Sequence, residues 1–318
     1  MTEKSDIWVL TDDRAGNVAQ ALGVAEAVGR PFEVRPLRYN PWGRLHNALR
    51  ASSRRGLDLW SRKAIEQADP PALVISAGRR SAPLARWLKR RLGAALVQMM
   101  DPGWPGRDSF DLIAAPLHDD LPNAPNVIHT LGSCHRASPE KLAAEAAIWR
   151  PRLPDLPRPW TLLAVGGRAA GAPFGAIEIG LLAKQLGNIE GSLLVVTSRR
   201  TGAVAEHGLR ELLPEAGYFR EWREEGDNPY LGLLALADNI VVTGDSMSMC
   251  SEACANGGPV FIFTPPSLKD RKFRALHDQL FRAGYARPLN GECGDWRHPP
   301  LNAAKQVAEE IERRALLP

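Results

Sequence analysis

The segment "TGDSMSMCSEA", at 243–253, carries side chains that could bind a phosphorylated ligand. Its candidate ligand-binding residues are Asp245, Ser246, Met247, Ser248 and Glu252. A helix that begins near Ser246 would present free backbone N–H groups and a positive dipole end, both of which favour phosphate. Glu252, within the first two turns, could accept hydrogen bonds from both hydroxyls of a ribose. The alternative is that Asp245 and the serines only cap this helix, with Glu252 favouring its dipole.

Two other loops carry similar chemistry, "AVGGRAAG" at 164–171 and "TSRRTG" at 197–202. Glycine lets a backbone approach a ligand closely, and arginine suits phosphate recognition. The candidates in these loops are Gly166, Gly167, Ser198, Arg199 and Thr201. The chain lacks the P-loop pattern, and "GGRAAG" does not match the dinucleotide-binding glycine spacing. These observations argue against an ATP-hydrolysing site and against an NAD-type site.

The elements that must position these loops are short apolar runs that alternate with helix-period segments. The first set of predicted strands is 7–11, 32–37, 72–76, 95–100, 111–116 and 126–131. The second set is 160–167, 192–198, 218–222, 239–243, 259–263 and 286–289. Continuous apolar strands between amphipathic helices indicate parallel sheets covered on both faces.

A proline-rich stretch, "RPRLPDLPRPW" at 150–160, separates the two sets and reads as a linker, because proline cannot continue a helix. The sequence therefore predicts an α/β protein of two tandem doubly wound Rossmann-like domains, 1–150 and 151–318, that face a cleft. We expect the final helix, 302–316, to be able to pack back on the first domain. In open sheets of this kind, ligands bind beyond the carboxyl ends of the strands.

In the first domain, three strand-end loops face that same side. "TDDRAGNVAQ", at 11–20, offers Gly16 and Asn17 as ligand contacts, although a turn rich in Asp and Asn would also explain it. "MMDPG" and "APLHDD" place Asp101, His118 and Asp119 at the ends of neighbouring strands. One of these groups could act as the general base of a transfer reaction. Alternatively, His118 organises its loop and Asp119 caps a helix.

Composition sets the broad class of the protein. The chain has 318 residues, with 44% hydrophobic and 24% charged side chains, which is typical of a soluble globular protein. No apolar run approaches the roughly 18 residues of a membrane span, and "MTEKSDIWVL" enters a strand too early for a signal peptide. The expected location is the cytoplasm.

The net charge is +4, and arginine and lysine cluster in two predicted helices, at 44–63 and 79–91. Such clusters favour an anionic partner, although a solvated helix face has the same composition. The basic helices would suit peripheral contact with the inner face of a membrane. The sequence contains no recognised nucleic-acid-binding motif, so we expect no specific nucleic-acid partner.

Nearly the whole chain resembles the family of the plant "elongated mitochondria" fission factor, whose bacterial members are commonly labelled nucleoside-diphosphate-sugar epimerases. The resemblance rests on "TDDRAGNVAQ", "VISAGRRSAP", "QMMDP", "PLHDD", "VGGR", "TSRRTG", "NPYLGLLALAD" and "VTGDSMSMCSEA". The last motif also resembles the nucleotide-sugar loop of GT-B glycosyltransferases, of the peptidoglycan lipid-intermediate N-acetylglucosaminyltransferase and of UDP-N-acetylglucosamine 2-epimerases. In those proteins a Gly/Ser turn holds the diphosphate and the following glutamate binds the ribose, which would be Asp245–Ser248 and Glu252 here.

The resemblance implies a GT-B-like glycosyltransferase or a related nucleotide-sugar enzyme. A nucleoside-diphosphate sugar, with UDP-sugar as the first expectation, would be its donor substrate rather than a permanently bound cofactor. Neither a bound cofactor nor a metal is required, because helix N-termini and arginine can neutralise the leaving diphosphate. A lipid-linked or anionic acceptor at the membrane surface would complete the reaction. The alternative is a non-catalytic, membrane-associated adaptor of the mitochondrial-fission-factor type.

Overall fold

The structure is a computed structural model that describes residues 6–167, 174–187, 189–213, 215–291 and 294–318. The chain forms two compact units, the first from Met1–Arg136 with Asn302–Pro318 and the second from Ala137–Leu301. The stretch at 168–173 and Cys293 lie outside the described residues.

The first unit contains a six-stranded sheet in which every described pair of neighbouring strands is parallel. Its strands are β1 (Ile7–Thr11), β2 (Phe32–Pro36), β3 (Leu73–Ala77), β4 (Ala95–Met99), β5 (Leu112–Pro116) and β6 (Val127–Thr130). Its first helices are α1 (Ala15–Val28), α2 (Asn47–Arg50), α3 (Leu59–Glu66) and α4 (Ala82–Leu92). The strand order β2-β1-β3-β4-β5-β6 places the switch point between β1 and β3.

The second unit repeats this plan with helices and strands that alternate along the chain. Its helices are α5 (Pro139–Trp149), α6 (Ala176–Leu186), α7 (Ala203–Leu212), α8 (Tyr230–Leu236), α9 (Met247–Ala253) and α10 (Arg271–Arg282). Its strands are β7 (Trp160–Val165), β8 (Ser192–Thr197), β9 (Tyr218–Arg220), β10 (Asn239–Thr243), β11 (Val260–Phe263) and β12 (Arg287–Pro288). The order β12-β11-β10-β7-β8-β9 places its switch point between β7 and β10.

Helix α5 lies in the second unit, whereas the sequence placed it in a first domain that ended at residue 150. Its last residue, Trp149, is buried against α8, and a Cβ atom on Gly232 would lie 2.3 Å from the Trp149 ring. Glycine at this position of α8 therefore allows the indole to pack directly on the helix backbone. This tertiary contact attaches α5 to the elements that follow it.

The basic segment 44–63 does not form one helix, so that expectation is wrong. A 3₁₀ turn at Pro41–Arg44 is followed by the single turn of α2, and the chain then bends through Gly56, which has φ +91°. Asp58 accepts a hydrogen bond from the Ser61 amide at 2.7 Å and starts α3. Two separate start signals thus divide the segment. The second basic segment forms α4, as expected.

The sequence analysis did not predict helix α10. Asp270 caps this helix by accepting a hydrogen bond from the Lys272 amide. Its buried residues, Phe273, Leu276 and Leu280, follow helical spacing, which is the signal that could have revealed it. No helix in the described part of the chain combines the length and the apolar character needed to cross a membrane.

The last helix, α11 (Ala303–Arg313), belongs to the first unit. Val307 and Ile311 are buried in the same core as Val24 of α1 and Ile75 of β3. A helix from the end of the chain therefore covers one face of the first sheet.

Replacing Ile311 by alanine should lower the free energy of unfolding by about 2–5 kcal/mol, because the side chain is 2% exposed and its removal leaves a cavity. Urea denaturation of the whole chain measures this loss. The control is Glu309→Ala on the exposed face of the same helix, with an expected change of about 0.5 kcal/mol or less. An equally small loss for Ile311→Ala would show that α11 is not docked on this core.

Candidate functional site

Three neighbouring strands of the second unit end beside one another and carry the three loops singled out in the sequence. Strands β10, β7 and β8 are adjacent, and Gly166, Gly244 and Ser198 follow β7, β10 and β8 respectively. The Gly166 amide donates a hydrogen bond of 2.7 Å to the Thr243 hydroxyl, which joins the ends of β7 and β10. The loops therefore meet at the switch point of this sheet, where ligands bind in open α/β folds.

Glycine is required at both positions after β7, because atoms of the neighbouring loops lie very close to the backbone there. A Cβ atom on Gly166 would lie 2.9 Å from a carboxylate oxygen of Asp245. A Cβ atom on Gly167 would lie 2.5 Å from the carbonyl carbon of Arg200, and Gly167 also has φ +118°. Any side chain at these positions would separate the three loops, so glycine keeps them in contact.

The hydroxyls after β8 hold the loop itself. The Ser198 hydroxyl donates to the Gly166 carbonyl, and the Thr201 hydroxyl accepts from the Ser198 amide at 2.9 Å. Thr201 also donates toward the Gly166 carbonyl at 3.0 Å. Both side chains therefore brace the β7–β8 junction, whereas the sequence offered them as ligand contacts.

The two arginines of this loop differ in their contacts. Arg199, which the sequence analysis preferred, and Arg200 are both exposed. The Arg200 guanidinium reaches back and donates to the Asp245 carbonyl at 3.3 Å. Arg200 was not among the preferred site residues, because two adjacent arginines in a loop give no sequence signal that separates them. The structure places the Arg200 guanidinium next to the β10 loop.

Asp245 is buried, with 2% of its surface exposed, in the loop between β10 and α9. Burial raises its pKa to about 6, although the nearby Thr243 hydroxyl and the Arg200 guanidinium oppose the rise. The residue before α9 is Ser246, whose side chain accepts no capping hydrogen bond within the described chain. Simple helix capping, the alternative explanation of this motif, therefore does not account for Ser246.

Helix α9 begins after Ser246, where the sequence placed it. Ser248 and Glu252 are half-buried and lie four residues apart, so they share one face of the helix. Burial raises the pKa of Glu252 to about 7, and the adjacent Tyr230 hydroxyl opposes the rise. Glu252 thus lies in a recess that is poorly hydrated but still reaches solvent. Such perturbed carboxylates are concentrated at functional sites.

His277 of α10 supports the β10 loop from behind and was missed by the sequence analysis. Its Nε2 lies 2.8 Å from the Gly244 carbonyl, and its Nδ1 lies 3.3 Å from the Thr264 hydroxyl. Burial lowers the pKa of His277, so the ring is neutral, with Nε2–H donating to the carbonyl. A Cβ atom at position 244 would lie 2.4 Å from the His277 ring, so only glycine at this position lets the ring approach the loop.

The candidates of the first unit lie at the ends of its own strands. Asn17, in the first turn of α1, donates to the Asp12 carboxylate at 3.2 Å and lies against Gly78, which follows β3. A Cβ atom on Gly16 would meet no described atom within 4 Å, so this glycine faces open space. These contacts link the two loops at the β1/β3 switch point.

The three candidate bases differ in their surroundings. Asp101 accepts from Arg107 through both carboxylate oxygens, at 2.9 and 2.7 Å, and also from the Gly103 amide. This bidentate pair occupies both oxygens of the Asp101 carboxylate. His118 is buried in the 3₁₀ turn Leu117–Asp119, and Asp119 is half-buried at its end. Asp101 is half-buried as well, so burial distinguishes only His118 from the other two.

Solved structures support the fold expected from the sequence. MurG of Acinetobacter baumannii matches with a TM-score of 0.50 and 15% identity, over 98% of this chain and 91% of that one. UDP-GlcNAc 2-epimerase of Neisseria meningitidis, bound to UDP-GlcNAc, matches with a TM-score of 0.52 and 14% identity, over 96% of this chain and 99% of that one. At this identity the likeness shows the fold alone. It confirms the GT-B-like architecture of two Rossmann-like domains.

Two proteins are related in sequence. Protein RP120 of Rickettsia prowazekii is 28% identical over 96% of this chain and 98% of its own length. Mitochondrial fission protein ELM1 of Arabidopsis thaliana is 27% identical over 77% of this chain, which spans 64% of the plant protein. A family described as "Mitochondrial fission ELM1" matches residues 15–315. This match extends over nearly the whole sequence, and the chain therefore belongs to the mitochondrial fission ELM1 family.

Proposed function

We propose that the second unit binds a nucleoside-diphosphate sugar, with a UDP-sugar as the expected class, and that the protein transfers its sugar. The observation that carries the proposal is the contact among the loops after β7, β8 and β10, which places Gly166, Asp245 and Arg200 together at the switch point. The likeness in fold to an epimerase that binds UDP-GlcNAc supports the same class of ligand.

Each part of the ligand has a matching group in these loops. The Arg200 guanidinium supplies positive charge and several N–H donors for the diphosphate. The Ser248 hydroxyl, half-buried in the first turn of α9, adds a donor. Glu252 follows on the same helix face, and its carboxylate can accept hydrogen bonds from both ribose hydroxyls. The glycines after β7 keep these three loops in contact.

Sugar transfer from such a donor breaks the bond between the anomeric carbon and the diphosphate oxygen, and the diphosphate leaves with the electron pair. An acceptor oxygen forms the new bond to the anomeric carbon, and its proton passes to a base. His118 and Asp119 remain the predicted bases. Arginine and hydroxyl donors would stabilise the charge that develops on the leaving diphosphate.

The competing function is that of a non-catalytic interaction protein. It is favoured by the name of the plant relative, a mitochondrial fission protein. A protein of this kind would need neither a carboxylate of raised pKa in a recess nor glycines that hold three loops together. These features favour the nucleotide-sugar site, and ligand binding discriminates between the two functions.

The test is a thermal-shift and calorimetric panel of UDP, UDP-GlcNAc, other nucleoside diphosphates and UMP. We expect UDP and UDP-GlcNAc to raise the melting temperature by mass action, with a smaller effect of UMP because it lacks the second phosphate. Arg200→Gln should weaken UDP binding about tenfold or more, as expected for a lost charge-assisted hydrogen bond. Arg199→Gln is the matched control, with a change of about threefold or less.

If no nucleoside diphosphate or nucleotide sugar stabilises the folded protein, the second unit is not a nucleotide-sugar site. Equal losses for both arginine variants would instead assign the interaction to net charge rather than to the geometry of Arg200. Binding without any transfer or hydrolysis of the sugar would favour a protein that senses the ligand.

A further inference from the structure

A separate cavity of about 490 Å³ lies within the first unit, next to the β1/β3 switch point. Its lining includes five arginines and one carboxylate, Asp13. The arginines are Arg14, Arg44, Arg50, Arg79 and Arg80. The excess of positive charge in a concave site concentrates field lines and favours an anion.

Arg50, the last residue of α2, is the unusual member of this set. Only 1% of its surface is exposed, although arginine is almost never fully buried without a partner. Its Nε donates to the Arg55 carbonyl at 3.1 Å, and its guanidinium lies beside the Tyr39 side chain, which partly compensates the burial. Neither Nη1 nor Nη2 makes a well-aligned hydrogen bond with a described residue. A buried guanidinium whose donors are incompletely paired is destabilising unless another interaction offsets its charge.

A second cation lies close to Arg50. The guanidinium carbons of Arg50 and Arg80 lie 5.6 and 4.4 Å from the centre of the Tyr39 ring, so both cations contact the same aromatic ring. Burial lowers the pKa of Arg50, the nearby Tyr39 opposes this, and the Arg80 charge adds to it. Arg80 pairs with Asp13, so this carboxylate neutralises only one of the two guanidinium charges. A bound anion would offset the remaining repulsion.

The walls of the cavity are fixed by short contacts. The Asn47 side-chain amide donates to the Arg79 carbonyl at 3.0 Å and to the Pro102 carbonyl at 2.8 Å. These bonds tie α2 to the loops after β3 and β4. Gly103, with φ +81°, leaves space for the Arg79 side chain, because a Cβ atom there would lie 3.1 Å from its Cδ. The arginines are thus presented by a braced framework rather than by a freely solvated helix.

We propose that this cavity is an anion site that binds the phosphate or diphosphate group of a second ligand, with Arg79 and Arg80 as its main contacts and the buried positive charge of Arg50 behind them. Arginine suits this role because its planar donors match phosphate oxygens in pairs. The site is independent of the proposed nucleotide-sugar site, since all of its residues belong to the first unit.

The surroundings of the cavity distinguish two sources of such a phosphate. Leu45 and Trp104 line it and are 38% and 68% exposed, and the neighbouring Trp42 and Leu49 are 65% and 62% exposed. Exposed apolar side chains beside a phosphate site could contact the hydrocarbon part of a phosphorylated lipid. A water-soluble phosphate ester would need only the arginines.

The experiment measures binding of inorganic pyrophosphate to the full chain by calorimetry at low salt, without added metal. We expect Arg50→Met to weaken the first-unit binding about tenfold or more, because the positive charge of the buried guanidinium is lost. Arg79→Gln, at an exposed position that tolerates substitution, should weaken it about threefold or more. Arg91→Gln, on α4 outside the cavity, is the control and should change it by less than about twofold.

A comparison with Arg200→Gln separates this site from the second unit. Arg50→Met and Arg79→Gln should leave the response to UDP intact, whereas Arg200→Gln should leave the Arg50-dependent binding intact. Co-sedimentation with phosphatidylcholine vesicles, with and without phosphatidic acid, identifies the source of the phosphate. Arg50-dependent binding to the vesicles that contain phosphatidic acid would indicate a lipid, and binding of pyrophosphate alone would indicate a soluble ester.

The proposal is overturned if pyrophosphate and both kinds of vesicle bind the wild type and the cavity variants equally, or do not bind at all. Should Arg50→Met fail to fold by circular dichroism, Arg79→Gln and Arg44→Gln decide the matter, since both side chains are exposed. In the absence of ligand, a folded Arg50→Met variant should be more stable than the wild type, because it no longer buries an incompletely paired guanidinium.

Discussion

Replacing Glu252 by glutamine should stabilise the ligand-free protein near neutral pH and, in the same molecule, weaken its binding of UDP-sugars. Burial raises the pKa of Glu252 from 4.5 to about 7, so the folded state holds the proton more tightly than the unfolded state. The wild type is therefore unaffected by this group below about pH 4.5 and loses stability as the pH rises to about 7. Well above that pH the loss is constant, at about 3 kcal/mol.

Glutamine cannot ionise, so Glu252→Gln escapes this loss and should melt higher than the wild type at about pH 8 but at the same temperature at about pH 4. The affinity for UDP-GlcNAc should fall roughly 10- to 150-fold at about pH 8, because a hydrogen bond to a charged group contributes about 1.5–3 kcal/mol. Wild-type affinity should itself fall as the pH drops below about 7, where the carboxylate is protonated.

Thermal melts and calorimetry at the two pH values measure both effects, with Glu309→Gln on the exposed face of α11 as the control. A variant that melts higher and still binds the nucleotide sugar as tightly would place Glu252 outside the ligand site. A variant that melts lower at every pH would show that the carboxylate supports the fold.

Replacing Gly167 by alanine has the second large expected effect, on stability and on binding together. Alanine disfavours φ +118°, and its Cβ would lie 2.5 Å from the carbonyl carbon of Arg200. The loops after β7 and β8 must then separate, which moves Arg200 away from Asp245. We expect a loss of about 2–4 kcal/mol in the free energy of unfolding, typical of backbone strain combined with overpacking. Binding of UDP should be lost.

The matched control is Gly180→Ala in α6, where a Cβ atom would meet no described atom within 4 Å. Alanine inside a helix is favoured over glycine by about 0.5–1 kcal/mol, so this variant should be slightly more stable and should bind normally. Urea denaturation and UDP calorimetry give the two values. If Gly167→Ala behaves like Gly180→Ala, the contact between the β7 and β8 loops does not matter for the site.

Much of the secondary structure follows from local sequence. The strands of both sheets were located to within about two residues, because a strand that is buried on both faces must be a continuous apolar run. The start of α9 after Ser246 was also visible, since start signals act within a few residues. Periodicity failed in the segment 44–63, where proline, glycine and a new cap outweigh the apolar spacing.

The sequence by itself determined the fold class, the alternation of strands and helices and the three glycine- and serine-rich loops of the second unit. Only the tertiary structure decided that α5 joins the second unit and α11 the first, that Arg200 rather than Arg199 faces Asp245, and that Arg50 is buried with unpaired donors. The physical reason is the range of the interactions. Turns, caps and periodic burial depend on neighbours within a few residues, whereas packing, desolvation and charge pairing depend on atoms that the fold brings together from distant parts of the chain.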